Sequence, residues 1–309
     1  MYIDFHTHAF ADKIAGRAME ALSATSGLKP YTDGTLCGLK KKLRERDISA
    51  AVVLPIATKP SQQRVVNDWA ADINGKNGIY SFGSVHPDAD DAVQTLESIK
   101  ASGLHGVKLH PDYQGFFVED EKAFPIYQKC SELNLPITFH AGYDPLSPEL
   151  IHGTPEGFLK VYESFPKLTM IIAHCGGMYR WDGVERLLAG KSGGIYFDVG
   201  FTAGEIGEKQ LLRIIKKHGA DRILLGSDCP WDDPENEINM IRRLPLSEEE
   251  KDMIFLVVDR KEVHAVQRKV QEIDPKAFFV VTDAYDTYGE GFKPFPEAGA
   301  TVSYTHLRA

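Results

Sequence analysis

The sequence is poor in the features that mark several large classes of protein. Its 309 residues include four cysteines, Cys37, Cys130, Cys175 and Cys229, and no C-x-x-C pair. That spacing argues against a disulfide framework or a zinc ribbon, and reduced thiols in a cytoplasmic protein are expected. There is no basic block, and the net charge is −9. A nucleic-acid backbone or an anionic membrane surface is not the expected partner. No apolar run approaches the ~20 residues that span a bilayer. The first residues lack a basic region followed by an apolar core, so no signal peptide is expected. What remains is a globular protein acting on a small molecule, with a homo-oligomer left open.

Short apolar, β-rich runs recur along the chain at 2–6, 50–56, 79–85, 106–110, 136–140, 168–174, 195–200 and 222–228. After the second, they are spaced by roughly 26–33 residues, the length of a βαβ step. Helix-friendly segments such as 92–100, 124–133 and 208–219 lie between them. Apolar strands alternating with helices indicate a parallel sheet covered on its outside. Eight of them predict an α/β fold, a closed (β/α)8 TIM barrel. The rival, an open doubly wound sheet, usually carries a Gly-rich loop after its first strand. Here that strand runs Ile3-Asp4-Phe5-His6-Thr7-His8 instead. The longer gap between the first two strands predicts an extra helical lid segment, then the first barrel helix.

Active sites in such barrels lie at the C-terminal ends of the strands. Strict alternation would set His6 and His8 side by side, with Asp4 one step deeper. The later strand ends bring His86, then Lys108 and His110, His140, His174, Asp198 and Asp228. Imidazoles and carboxylates converging at one mouth suit a divalent metal: zinc, or iron, cobalt or manganese. A site that keeps one position for water would lower that water's pKa. The strand-8 carboxylate is placed to bind the metal and accept the proton.

His6-x-His8, PITFHAG (136–142), IIAHCGG (171–177) and GSDCPW (226–231) resemble the amidohydrolase superfamily. Within it, they look like the branch that includes aminocarboxymuconate-semialdehyde decarboxylase, over about 1–254. The resemblance implies that His6, His8, His140 and Asp228 are metal ligands. It also implies that His174 polarises the metal-bound water or the substrate, and that Asp228 and His174 are the catalytic pair. In some members a modified lysine bridges two metals. Lys108 is the candidate here, against an internal salt bridge with Asp4. A mononuclear site is the main expectation. His110, Lys108, Tyr113, Gln114, Tyr143, Arg180, Trp181 and Trp231 are the candidate substrate contacts. Hydrolysis of a small ester, lactone or amide is the expected reaction. Non-oxidative decarboxylation or a hydro-lyase reaction on a small carboxylic acid is the alternative.

From about residue 255 the sequence changes character. Residues 255–293 resemble part of the soluble C-terminal domain of YitT-type membrane proteins, and the final TVSYTHLRA resembles translated adapter sequence. The expectation is a chimera: a barrel with its final helix cut short, a short αβ fragment at 255–293, and a disordered or artefactual tail at 294–309. A helix is expected at 259–270 and a strand at 277–282. An uncovered apolar patch is expected on the barrel near its first and last strands.

Overall fold

The computed structural model describes residues 2–255. Eight strands are present: β1 (Tyr2–Thr7), β2 (Ile48–Val53), β3 (Ile79–Ser81), β4 (Val107–Leu109), β5 (Ile137–Phe139), β6 (Met170–Ile172), β7 (Ile195–Asp198) and β8 (Ile223–Leu224). All neighbours pair in parallel, in the orders β1-β2-β3 and β4-β5-β6-β7-β8. Two seams join the sheets. The Gly83 N–H donates to Gly106 O and the Lys108 N–H to Gly83 O, each at 2.8 Å. On the other side the Phe5 N–H bonds Leu225 O at 2.8 Å and the Asp228 N–H bonds His6 O at 2.7 Å. The sheet therefore closes on itself as the expected barrel.

The helices are α1 (Asp12–Ser26), α2 (Leu36–Glu45), α3 (Gln63–Ile73), α4 (Ala92–Ala101), α5 (Pro111–Gln114), α6 (Phe124–Leu133), α7 (Pro155–Ser164), α8 (Trp181–Leu187), α9 (Glu208–His218), α10 (Pro234–Arg243) and α11 (Glu248–Phe255). Helix α1 fills the long first gap, as the sequence predicts. Helix α2 begins where Thr35 Oγ1 accepts the Gly38 N–H at 2.9 Å, and it buries Leu39 and Leu43 one turn apart. Helix α9 buries Leu211, Ile214, Ile215 and His218 on one stripe and carries Lys216 and Lys217 beside it. Asp233 caps α10 and also holds Arg46, the residue after α2, through two bonds of 2.7 Å, tying the chain after β8 to the end of the first barrel helix.

Two apolar clusters follow from strand alternation. The smaller joins Phe5, Val52, Leu54, Phe82 and Ile171; the larger fills the space between strands and helices. Burying each such side chain is worth about 1.5–3 kcal/mol. Strand β1 departs from strict alternation, because its register against β2 shifts between Asp4 and Thr7. Phe5 joins the smaller cluster, while Asp4 takes the Ser227 hydroxyl at 2.6 Å and the Ser227 N–H at 3.0 Å. Asp4 Oδ1 also accepts the His6 N–H, at 3.2 Å.

The expected bare patch near the first and last strands is corrected. Helix α11 contacts β8 and buries Ile254 and Phe255, with the Phe255 ring 4.8 Å from Tyr2 in an edge contact. Among the described residues near that end, Met253 is an exposed large apolar side chain. The helix expected at 259–270, the strand at 277–282 and the tail lie outside the described residues. No helix of the described residues is long and apolar enough to cross a membrane.

Candidate metal centre

His6 and His8 lie at and just past the end of β1, and Asp228 follows β8. Their ligand atoms converge: His6 Nε2 is 3.2 Å from His8 Nε2, and Asp228 Oδ1 is 3.4 and 3.0 Å from the two rings. The outer nitrogens decide what those atoms are. His6 Nδ1 donates to the Asp198 carboxylate, at 3.1 Å to each oxygen. His8 Nδ1 donates to Leu54 O at 2.8 Å. In the neutral rings both Nε2 atoms therefore carry lone pairs. Two lone pairs and a carboxylate oxygen face one another across about 3 Å. A positive centre relieves that arrangement: the Lys108 ammonium, 3.3 Å from His6 Nε2, serves one of the three atoms, and a divalent cation would serve all three. Around one metal with bonds of 2.0–2.2 Å, tetrahedral ligands lie roughly 3.3–3.6 Å apart, close to the separations here. The donor set fits a divalent cation.

The electrostatics keep the donors ready. Burial, aided by the Lys108 charge, lowers the His6 imidazole to about 4, so it is neutral at pH 7. Burial alone would raise the Asp228 carboxyl, but His6 and the His8 hydrogen bond hold it well below the ordinary range. Asp198 is held at about 2 against its own burial by His6. Lys108, fully buried, falls to about 8 and stands 3.3 Å from His6 Nε2. His174 and Asp228 both adopt the left-handed backbone region, at φ 57 and 63°. Side chains rarely sit there, and such strain clusters at functional sites.

His174 follows β6. Its Nδ1 donates to Gly200 O at 2.8 Å, and its Nε2 is 3.0 Å from His140 Nδ1. His140 is not grouped with His6, His8 and Asp228; it belongs to a second trio. With His110 and Asp144 its ligand atoms lie within 4.8 Å of one another. The His110 and His140 rings stack 4.1 Å apart, and Tyr113 stacks on His110 at 3.8 Å. Burial pushes both imidazoles well below their usual value and raises Asp144 to about 7.

A family model described as amidohydrolase matches residues 3–256. The chain belongs to the amidohydrolase family. A second model, described as an uncharacterized protein conserved in bacteria (DUF2179), matches residues 246–289, where the resemblance to a different domain was read. No curated protein matches the chain. Among solved structures, an uncharacterized TIM-barrel protein from Bordetella bronchiseptica is similar at a TM-score of 0.66 and 16% identity, covering 87% of this chain and 98% of that one. A 5-carboxyvanillate decarboxylase from Sphingomonas paucimobilis gives 0.60 and 14%, covering 82% and 96%. A dihydroxybenzoic acid decarboxylase from Polaromonas, with bound manganese and an inhibitor, gives 0.59 and 15%, covering 82% and 94%. At these identities the likeness is one of fold.

The other candidate residues of this amidohydrolase barrel have these surroundings. Gln114 was a candidate substrate contact. Its Oε1 accepts the His110 N–H, and its Nε2 donates to Ala57 O and Val85 O, so its amide braces three loops. Trp181 is buried and donates its indole N–H to His174 O at 2.9 Å, supporting the histidine from behind. Lys108 meets His6 and not Asp4. Arg180 is exposed and, with Trp181, borders a surface hollow of about 430 Å³ that none of the two trios lines. Tyr143 is half-buried, its ring 5.5 Å from Tyr179, and Trp231 is half-buried with its backbone N–H on the Asp228 backbone O. His86 turns its Nδ1 to the Asp88 N–H. Asp198 was visible as a strand-end carboxylate, but its hold on His6 was not. Asp112, Asp144 and His152 were missed, although Asp144 stands four residues past His140 in a loop rich in turn formers.

Proposed function

We propose that this barrel is a metal-dependent hydrolase of a small ester, lactone or amide. The observation that carries the reading is the mutual facing of His6 Nε2, His8 Nε2 and Asp228 Oδ1. These three would hold the cation, with His140 as fourth ligand; zinc is the first expectation, with manganese, iron or cobalt as alternatives. When bound, such an ion supplies Lewis acidity and lowers the pKa of water. Asp228 stays ionised and can take a proton from a nucleophile at the mouth. His174 Nε2 presents a lone pair, because its Nδ1–H is on Gly200 O. It therefore begins as an acceptor and donates to a developing oxyanion only once protonated.

Decarboxylation is the second reading, favoured by the decarboxylases among the structural relatives. Charge weighs against it. Asp198 and Asp228 are held ionised beside His6, and among the described residues Lys108 is a buried cation while no arginine is buried. An anionic substrate meets repulsion there unless the metal offsets it. The test is to load the protein with Zn or Mn and offer esters, lactones, amides and hydroxylated aromatic acids. Hydrolysis without CO₂ release is expected. CO₂ from the acids with no hydrolysis would overturn the first reading in favour of the second.

A further inference from the structure

Asp112 lies on α5, immediately after the β4 strand end, and its side chain is fully buried. One oxygen is well served: Oδ1 accepts from Ser147 Oγ at 2.5 Å and from His152 Nδ1 at 2.9 Å. The other, Oδ2, has no hydrogen-bond partner. Facing it at 3.9 Å is His140 Nε2, also buried and also without a partner. Two orphaned polar atoms directed at each other form an incomplete pair, and buried polar groups are rarely left so. The neighbouring acceptor, Asp144 Oδ2, lies 3.7 Å from His140 Nε2 and 3.6 Å from His110 Nε2. His110 Nδ1 accepts the Tyr113 N–H, so in the neutral ring its Nε2–H is turned toward Asp144. That leaves Asp112 Oδ2 as the acceptor without a donor.

His140 has two neutral tautomers. With the proton on Nδ1, it donates to His174 Nε2 and its own Nε2 lone pair faces two carboxylate oxygens. With the proton on Nε2, it faces those carboxylates as a donor. Nδ1 then presents a lone pair beside that of His174 Nε2. Without a cation the 3.0 Å contact to His174 suits the Nδ1–H form, since Nε2 stands 3.7 and 3.9 Å from the carboxylates. A cation taken at Nδ1 would move that proton to Nε2, where a charge-assisted N–H···O⁻ bond, roughly twice as strong as a neutral one, becomes available. We propose that Asp112 is a positioning residue that fixes His140 in the Nε2–H tautomer and thereby makes Nδ1 its metal-binding nitrogen. Ser147 and His152 anchor the carboxylate, and the stacked His110 ring limits rotation of His140. The proposal rests on the reading of His140 as a ligand. The physical logic is that of any imidazole ligand, whose outer nitrogen needs an acceptor to orient the ring.

The test combines metal affinity with imidazole NMR. Zinc affinity is measured by chelator competition for the wild type, Asp112→Asn and His140→Ala. Nitrogen-15 spectra of the metal-free and zinc-loaded wild type report the tautomer, the His140 signals being those missing from His140→Ala. In Asp112→Asn the amide oxygen should keep the Ser147 and His152 donors, turning the NH₂ toward His140 and favouring the wrong tautomer. The expected result is zinc binding about 10–100-fold weaker with the fold retained. A proton on His140 Nε2 is expected in the loaded wild type. Should Asp112→Asn fail to fold, that wild-type spectrum still decides: a proton on Nδ1 overturns the proposal. Unchanged affinity in Asp112→Asn, with zinc lost in His140→Ala, also overturns it while leaving the ligand reading intact. Full zinc binding in His140→Ala overturns the ligand reading itself. A second zinc equivalent that requires Asp112 would make the carboxylate a ligand, and again overturn its positioning role.

Discussion

His6, His8 and His174 each give their outer nitrogen to a different acceptor: the Asp198 carboxylate, Leu54 O and Gly200 O. All three rings are thereby set with Nε2 as the nitrogen that carries the lone pair. His140 differs, since its two nitrogens face two clusters. Replacing His140 by Ala should therefore remove most of the metal and the activity together. His174→Ala should keep most of the metal and lower turnover by about 10²–10⁴-fold, the usual range for a lost acid or base. Atomic absorption on both variants separates the roles; equal metal loss would make His174 a ligand. The histidines themselves were legible because they fall at strand ends in a regular series. Their acceptors were not. Leu54 O and Gly200 O belong to backbone, which a side-chain pattern does not display, and Asp198 is 192 positions from His6. The bonds of Gln114 were hidden for a related reason: the Ala57 and Val85 carbonyls it serves belong to backbone.

At the scale of elements, the eight apolar runs were legible because both faces of a parallel strand are buried. The irregularity in β1 was not, since a register shift leaves no mark in composition. Helix α9 shows how a helix end can be keyed to the sheet. His218 accepts the Gly190 N–H on Nδ1, donates from Nε2 to Ile195 O, and stacks on Phe197 of β7 at 4.2 Å. Burial, with Arg222 nearby, lowers its imidazole from 6.5 to about 4. The unfolded chain then binds the proton more readily than the folded one. Stability from this residue is complete above about pH 6.5 and declines as pH falls toward 4. His218→Phe should weaken the acid sensitivity of urea unfolding in that window, while losing about 1–3 kcal/mol of hydrogen bonding at neutral pH. A pH dependence identical to wild type would show that His218 is not a source of it.

The two family matches overlap over residues 246–256, where α11 seals the end of the barrel. We propose that the residues beyond it are foreign to the barrel's chemistry. A chain ending at Phe255 should keep metal and turnover and gain solubility. One ending at Leu246 should lose thermal stability, because Ile254 and the Phe255–Tyr2 contact go with it. Loss of activity on removing 256–309 alone would mean that the segment belongs to the working protein. The seam between β1 and β8 has a temporal consequence as well. His6 and His8 leave the ribosome well before Asp228, which completes their trio 220 positions after His8. During synthesis those histidines must wait until nearly the whole barrel has been made. If the trio holds the metal as proposed, its capture would report that the last strand has arrived, and a chain stalled at β7 would offer the ion two imidazoles without the carboxylate.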